Sequence, residues 1–167
     1  YGLGARMTDG EVHTTSCMHI KVELFKFYRA VAASGDTTMS ELGDFTVDML
    51  GPKESATVLR AKGAETDGLL RFLATSFLTL HAHKLPQGSL ILIAAKALYD
   101  YKIHTDLLGW RITTSSAQQL LDLFHRFVHI ASILDLPEQP KHHLWMHMVM
   151  RSLESKNICG SVKLYFE

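Results

Sequence analysis

Apolar positions along this chain recur mainly at helical steps. From Ser16, read as an N-cap, Ile20, Leu24, Phe27, Tyr28 and Val31 follow at spacings of three and four, and Gly35-Asp36 ends that helix. Residues 1–13 are Gly-rich and aperiodic and read as a loop or a frayed end. Thr38-Met39-Ser40-Glu41 has capping-box form and predicts a second, shorter helix with Leu42, Phe45 and Met49 inward, broken at Gly51-Pro52. A third short helix is expected over about 54–61. A strongly amphipathic helix over about 65–83 carries Leu69, Phe72, Leu73, Phe77 and Leu80 as its stripe.

Pro86-Gln87-Gly88 reads as a turn, with Ser89 able to cap the next helix. Residues 90–101 are apolar nearly all round and predict a central buried helix. A strand over 90–93 competes, but the Ala-Ala-Lys-Ala-Leu continuation favours helix. Residues 107–114 read as a loop around Gly109-Trp110. Ser116-Ala117-Gln118-Gln119 resembles a capping box and opens the clearest helix, 117–134, with Leu120, Leu121, Phe124, Phe127, Val128, Ala131 and Leu134 on one face. Pro137 and Pro140 end it. A last helix is expected over about 142–155, followed by alternation at Val162, Leu164 and Phe166 that suits a short strand. The predicted fold is all-α: six or seven helices around 90–101, in one domain over 16–167 after a flexible segment 1–15, with a short C-terminal strand as its only β element.

Composition narrows this picture. Hydrophobic residues make up 47% and charged residues 20% of the 167, which is a globular balance. Lys+Arg and Asp+Glu are 17 each, so no basic surplus points to nucleic acid, although charge segregated on one face still can. Cys17 and Cys159 are the only cysteines, too few for a disulfide framework or a Cys-based zinc site, and a reducing, intracellular compartment is the default expectation. The longest apolar run, residues 90–95, is too short to span a bilayer. The first residues lack the basic-then-apolar layout of a signal peptide. No Met stands at position 1 and the pattern stops at Phe166-Glu167, so the chain reads as a piece of a longer frame or a trimmed one.

The 10 histidines are the main candidate chemistry. His125 and His129, and His143 and His147, are pairs four apart, a spacing that sets two rings on one helix face as zinc can use. A four-histidine site between the two helices is conceivable. Helix phase opposes it: His129 falls nearly opposite the Leu120–Phe124–Ala131 stripe and His125 on its outer flank, so both are expected to face solvent. His143 and His147 sit on a helix that reads as largely buried and remain the metal-binding candidates. No neighbouring Glu supplies a His-Glu-x-x-His base. His81 and His83 are expected on opposite sides of a helix end, where as cations they offset the dipole. Met146, Met148 and Met150 read as adaptable core filling. Gly-rich phosphate loops and Gly-x-Ser-x-Gly elbows are absent, and Asp36, Asp44, Asp48, Asp100, Asp106, Asp122 and Asp135 are scattered over caps, turns and solvated faces.

The run Pro140-Lys141-His142-His143-Leu144-Trp145-Met146-His147 resembles a segment in transposase-like proteins of eukaryotic mobile elements, especially the Plavaka- and CACTA-type groups. There a Pro-Lys-x-His-x-x-x-His helix start follows a long amphipathic helix, and a Gly or Asn turn and an aromatic-Glu pair come later. Here these are 117–134, the turn at 157–160, and Phe166-Glu167. An echo upstream is Leu59-Arg60-Ala61-Lys62-Gly63-Ala64-Glu65 followed by Leu69-Leu70-Arg71-Phe72. The likeness covers about the second two-thirds of the chain. It departs from the family at Thr66, where a Trp is usual, and in lacking the region's Gly-Pro turn.

The resemblance implies the C-terminal helical part of an RNase H-like nuclease, which cuts and joins DNA with Mg or Mn held by acidic residues. Its first catalytic Asp residues would lie upstream of Tyr1, with Glu167 carried over as a third acidic residue. Lys141, His142 and His143 would meet a DNA phosphate at a helix N-terminus. On the residues alone, the simpler account is that Pro140 sets a turn, Lys141 is solvated and His143 packs. The expected function is therefore a non-catalytic fragment of a nuclear transposase-like protein that supports the nuclease core or contacts DNA. Its expected partners are DNA and the rest of the parent, with no cofactor of its own, no membrane and no small-molecule substrate. The alternatives are a helical interaction or scaffold module without a nucleic-acid role, and a His-based metal protein.

Overall fold

The structure, a computed structural model, describes residues 9–50, 63–108, 113–136, 147 and 150. Those residues are mostly helical, and no strand occurs among them. They form four helices, fewer than the six or seven expected. These are α1 (Asp9–Ala33), a second helix interrupted by a π-turn, α4 (Gly88–Leu107) and α5 (Thr114–Ile133). The interrupted helix consists of α2 (Gly63–Phe72), the π-turn Leu73–Phe77 and α3 (Leu78–His81), and runs into a 3-10 turn Ala82–Lys84. The expected helix at 54–61 and the terminal strand lie outside the described residues. So does the helix at 142–155, apart from His147 and Met150. The chain divides between Phe72 and Leu73 into two compact units.

In the first unit α1 starts at Asp9, not at Ser16, which lies exposed in mid-helix. Gly10 and the Thr-Thr-Ser run are poor helix formers, so cooperative propagation from the residues after them carries the extension. The C-terminus matches the sequence: Gly35 takes φ 82°, and its N–H donates to the Ala32 carbonyl at 3.0 Å. Leu24, Tyr28 and Val31 form the buried stripe, joined by Cys17, while Ile20 and Phe27 are half-buried.

The helix expected after Thr38 does not form. Asp36 takes both donors of Thr38, the backbone N–H at 3.0 Å and the hydroxyl at 2.7 Å, so Thr38 closes an Asx-turn instead of capping a helix. The chain then runs irregularly to a single 3-10 turn, Val47–Leu50. Leu42 and Phe45 are nevertheless buried, as the apolar pattern requires. Side chains satisfy amides of this irregular stretch: Leu42 N–H donates to the Tyr28 hydroxyl at 3.2 Å and Phe45 N–H to Asp44 Oδ1 at 2.8 Å. Leu69 and Phe72 of α2 complete this core, with the Phe72 ring 5.5 Å from that of Phe27.

In the second unit the π-turn changes which residues face inward. One extra residue in a turn moves all later side chains about 100° around the axis. Ala74, Leu78 and Ala82 are buried, spaced by four, while Leu73 and Phe77 are half-buried and Leu80 is exposed. Leu80 is thus a correction to the stripe read from an uninterrupted helix.

The start of α4 also differs from expectation. Gln87, at φ 53°, occupies the cap position without a side-chain cap, and Ser89 lies inside the helix. The helix reading of 90–101 holds over the strand. Gly88, Ala94, Ala97, Tyr101 and Thr105 are buried, whereas Leu90, Ile91, Leu92 and Ile93 are only half-buried.

α4 packs on α5 as an αα-hairpin. Tyr101 lies against Ala117, Leu120 and Phe124, with the Tyr101 and Phe124 rings 6.4 Å apart. α5 is capped three residues earlier than expected: Thr113 Oγ1 accepts from Ser116 N–H at 3.1 Å. Its end is a Schellman motif. Leu136 N–H donates to Ala131 O at 3.0 Å and Asp135 N–H to Ser132 O at 3.1 Å, with Asp135 at φ 53°. This closes the helix before Pro137 is reached.

Candidate functional site

Lys141, His142, His143 and Glu167 lie outside the described residues. His147 is helical and exposed, and so is Met150, at 41% exposure. At these two positions the expected helix presents side chains to solvent, which corrects the reading of His147 as part of a largely buried helix and of Met150 as core filling. His125 and His129 are both exposed on the outer face of α5, as the helix phase predicts. His83 is exposed, and His81 is half-buried with its ring 4.9 Å from that of Phe77. Among the described residues, no group of three or more His, Cys, Asp or Glu is placed to hold a metal ion.

Two polar constellations missed by the sequence reading occur in the first unit. In one, Arg71 of α2 donates to Asp36 Oδ2 at 2.7 Å, while Asp36 Oδ1 receives both Thr38 donors. The Thr38 hydroxyl and amide, then Arg71, hold the Asp36 carboxyl well below the usual carboxylate range. A pair 35 residues apart leaves no periodic trace, so only the Asp-x-Thr turn signal was available in the sequence.

The second constellation surrounds Cys17. Its thiol donates weakly to the Phe45 carbonyl, 3.9 Å away, and Lys21 pairs with Asp44. Burial pushes the thiol pKa up, Lys21 opposes this, and Asp44 adds to it. Cys17 is buried among the core side chains, and a raised thiol pKa is the reverse of what a cysteine nucleophile needs. Lys21 and the Phe45 amide lower the pKa of Asp44. Both constellations fasten the irregular stretch to helices.

In the second unit, Thr105 Oγ1 returns a hydrogen bond to Tyr101 O at 2.8 Å, and Lys102 pairs with Asp106 at 2.5 Å on the surface of α4. The other notable surface features are apolar. On α1, Met18 and Val22 are one turn apart and 55% and 48% exposed. On α4, Ile103 and Leu107 are likewise one turn apart, with Leu107 78% exposed. Alternation cannot mark such pairs, because an apolar residue on a helix reads as core until its neighbours are known.

No protein-family model, curated protein or solved structure matches this chain. Among the described residues, no helix is long and apolar enough to cross a membrane.

Proposed function

We propose that the chain is a non-catalytic helical module of a transposase-like protein and docks on the rest of that protein through exposed apolar helix faces. The observation that carries the docking is the pair Ile103 and Leu107 on α4, matched by Met18 and Val22 on α1. Apolar area removed from water contributes about 25 cal/mol per Å², so the part of each pair still exposed gives a partner surface a hold. The parent's identity rests on the resemblance of Pro140 to His147. On that reading the nuclease segments of the parent carry the catalytic Asp residues and bind Mg or Mn. Glu167 approaches that centre, the protein works in the nucleus, and Lys141, His142 and His143 contact DNA phosphate. The complete module then has six helices, the four described and those expected over 54–61 and 142–155, with a short strand over 162–166.

The reading of the same surfaces as a scaffold module without a nucleic-acid role is favoured by the zero net charge. DNA binding separates the two. On the transposase reading the chain binds duplex DNA, the affinity falls steeply with salt, and Lys141→Ala weakens binding on every sequence and lowers the salt slope by about 1. Absence of salt-dependent binding by the unaltered chain overturns the DNA role and leaves the scaffold. The sequence upstream in the parent gene tests the family directly: a strand-rich segment with spaced Asp residues is expected. A stop codon just before Tyr1 overturns it. The His-based metal reading of His143 and His147 expects zinc, copper or iron in the purified protein.

A further inference from the structure

We propose that His125 and His129 form an open two-imidazole surface site for a divalent transition metal of the zinc, copper or nickel class. Both are exposed on α5. Their spacing of four brings the two Cβ atoms to about 6 Å, within reach of one ion held between the rings. Imidazole nitrogen suits zinc, copper and nickel and is a poor match for magnesium or calcium, so the ligand pair itself selects the class.

The helix beneath is held firmly. Leu120, Phe124, Ile130 and Ala131 are buried, Thr113 caps the start, and the Schellman motif closes the end. The rings therefore project from a backbone that is already ordered, and metal binding need not pay for helix formation. Asp122 lies one turn before His125 on the same strip and adds a negative charge beside the pair. Its Oδ1 accepts from Gln118 Nε2 at 2.9 Å. Exposed Arg126 stands on the neighbouring strip and opposes the cation, which limits the affinity. Two ligands leave the ion's remaining positions to water or to donors from a second molecule, so the site is exchangeable and differs from an enclosed structural one.

The test is calorimetric titration of the full chain with zinc chloride, and separately with nickel chloride. Binding is expected, and His125→Ala and His129→Ala should each weaken it by at least about tenfold. Both positions are exposed, so circular dichroism should be unchanged. The double variant His143→Ala/His147→Ala should keep the full affinity. No binding by the unaltered chain up to ~1 mM zinc overturns the site, since weaker binding than that is below useful affinity. Loss confined to the His143/His147 variant, or binding untouched by His125→Ala and His129→Ala, overturns it equally.

Discussion

Among the described residues of the second unit, Gly88 is the glycine that the surrounding backbone restricts most closely. A Cβ there would run into the carbonyl oxygen, carbonyl carbon and Cα of Ala82, which are backbone atoms and cannot swing aside. The close approach lets the chain turn from the 3-10 turn into α4, and the Gly88 N–H donates to Leu85 O at 3.0 Å within it. Gly88→Ala is therefore expected to destabilise the fold by about 1–3 kcal/mol, as overpacking a fixed contact does. The shift should show as a lower urea midpoint with an unchanged slope. The sequence marks this position as a turn through Pro86-Gln87-Gly88, but the reason for glycine is visible only with Ala82 in place. Gly68 resembles it in the first unit, where a Cβ would meet the Ser40 carbonyl oxygen.

At the scale of elements, periodicity reads well and boundaries read poorly. α5 shows both. Its inward face at Leu120, Phe124 and Ala131 and its solvent-facing His125 and His129 follow from helix phase alone. Its start does not, because Thr113 and Ser116 both have the chemistry of a cap. The structure chooses Thr113, whose Oγ1 takes the Ser116 amide and lies 2.9 Å from the Ser116 hydroxyl. Thr113→Ala should cost about 1 kcal/mol in thermal or chemical unfolding, and Ser116→Ala distinctly less.

The interrupted helix is the opposite case. Up to Phe72 the stripe is as expected. Beyond it the π-turn substitutes Ala74, Leu78 and Ala82 for the larger Phe77 and Leu80. On α4, Gly88 comes so close to the Ala82 backbone that a Cβ there would clash. Close approach between small side chains gains contact that a bulkier stripe would prevent. Nothing in residues 65–83 signals this by itself, because the partner surface sets the choice.

At the scale of the whole molecule, charge is balanced, and the ion pairs that matter fasten irregular chain to helices. Asp36 and Asp44 both have carboxyl groups held below their ordinary pKa, Asp36 by Thr38 and then Arg71, Asp44 by Lys21 and the Phe45 amide. A depressed folded-state value means the unfolded chain binds protons first. The stabilisation is then complete above the unfolded carboxylate pKa of about 3.9 and is lost as pH falls through the lower folded value. The thermal midpoint should accordingly drop on acidification below about pH 4. Asp36→Ala should lie lower than the parent at neutral pH and lose less on acidification. Both pairs are partly solvated, so added salt should narrow the difference.

The sequence by itself determined the helical class, the inward stripes of α1 and α5, the burial of Leu42 and Phe45, and the outward placement of His125 and His129. These follow from hydrophobic periodicity, which is a local property and survives without knowledge of neighbours. Only the tertiary structure decided that Thr38 serves Asp36 in a turn, that Arg71 reaches back across 35 residues, and that one extra residue after Phe72 re-aims a helix. Each depends on a partner distant in sequence. A hydroxyl, a carboxylate or an apolar stripe has several satisfactory uses until packing removes all but one.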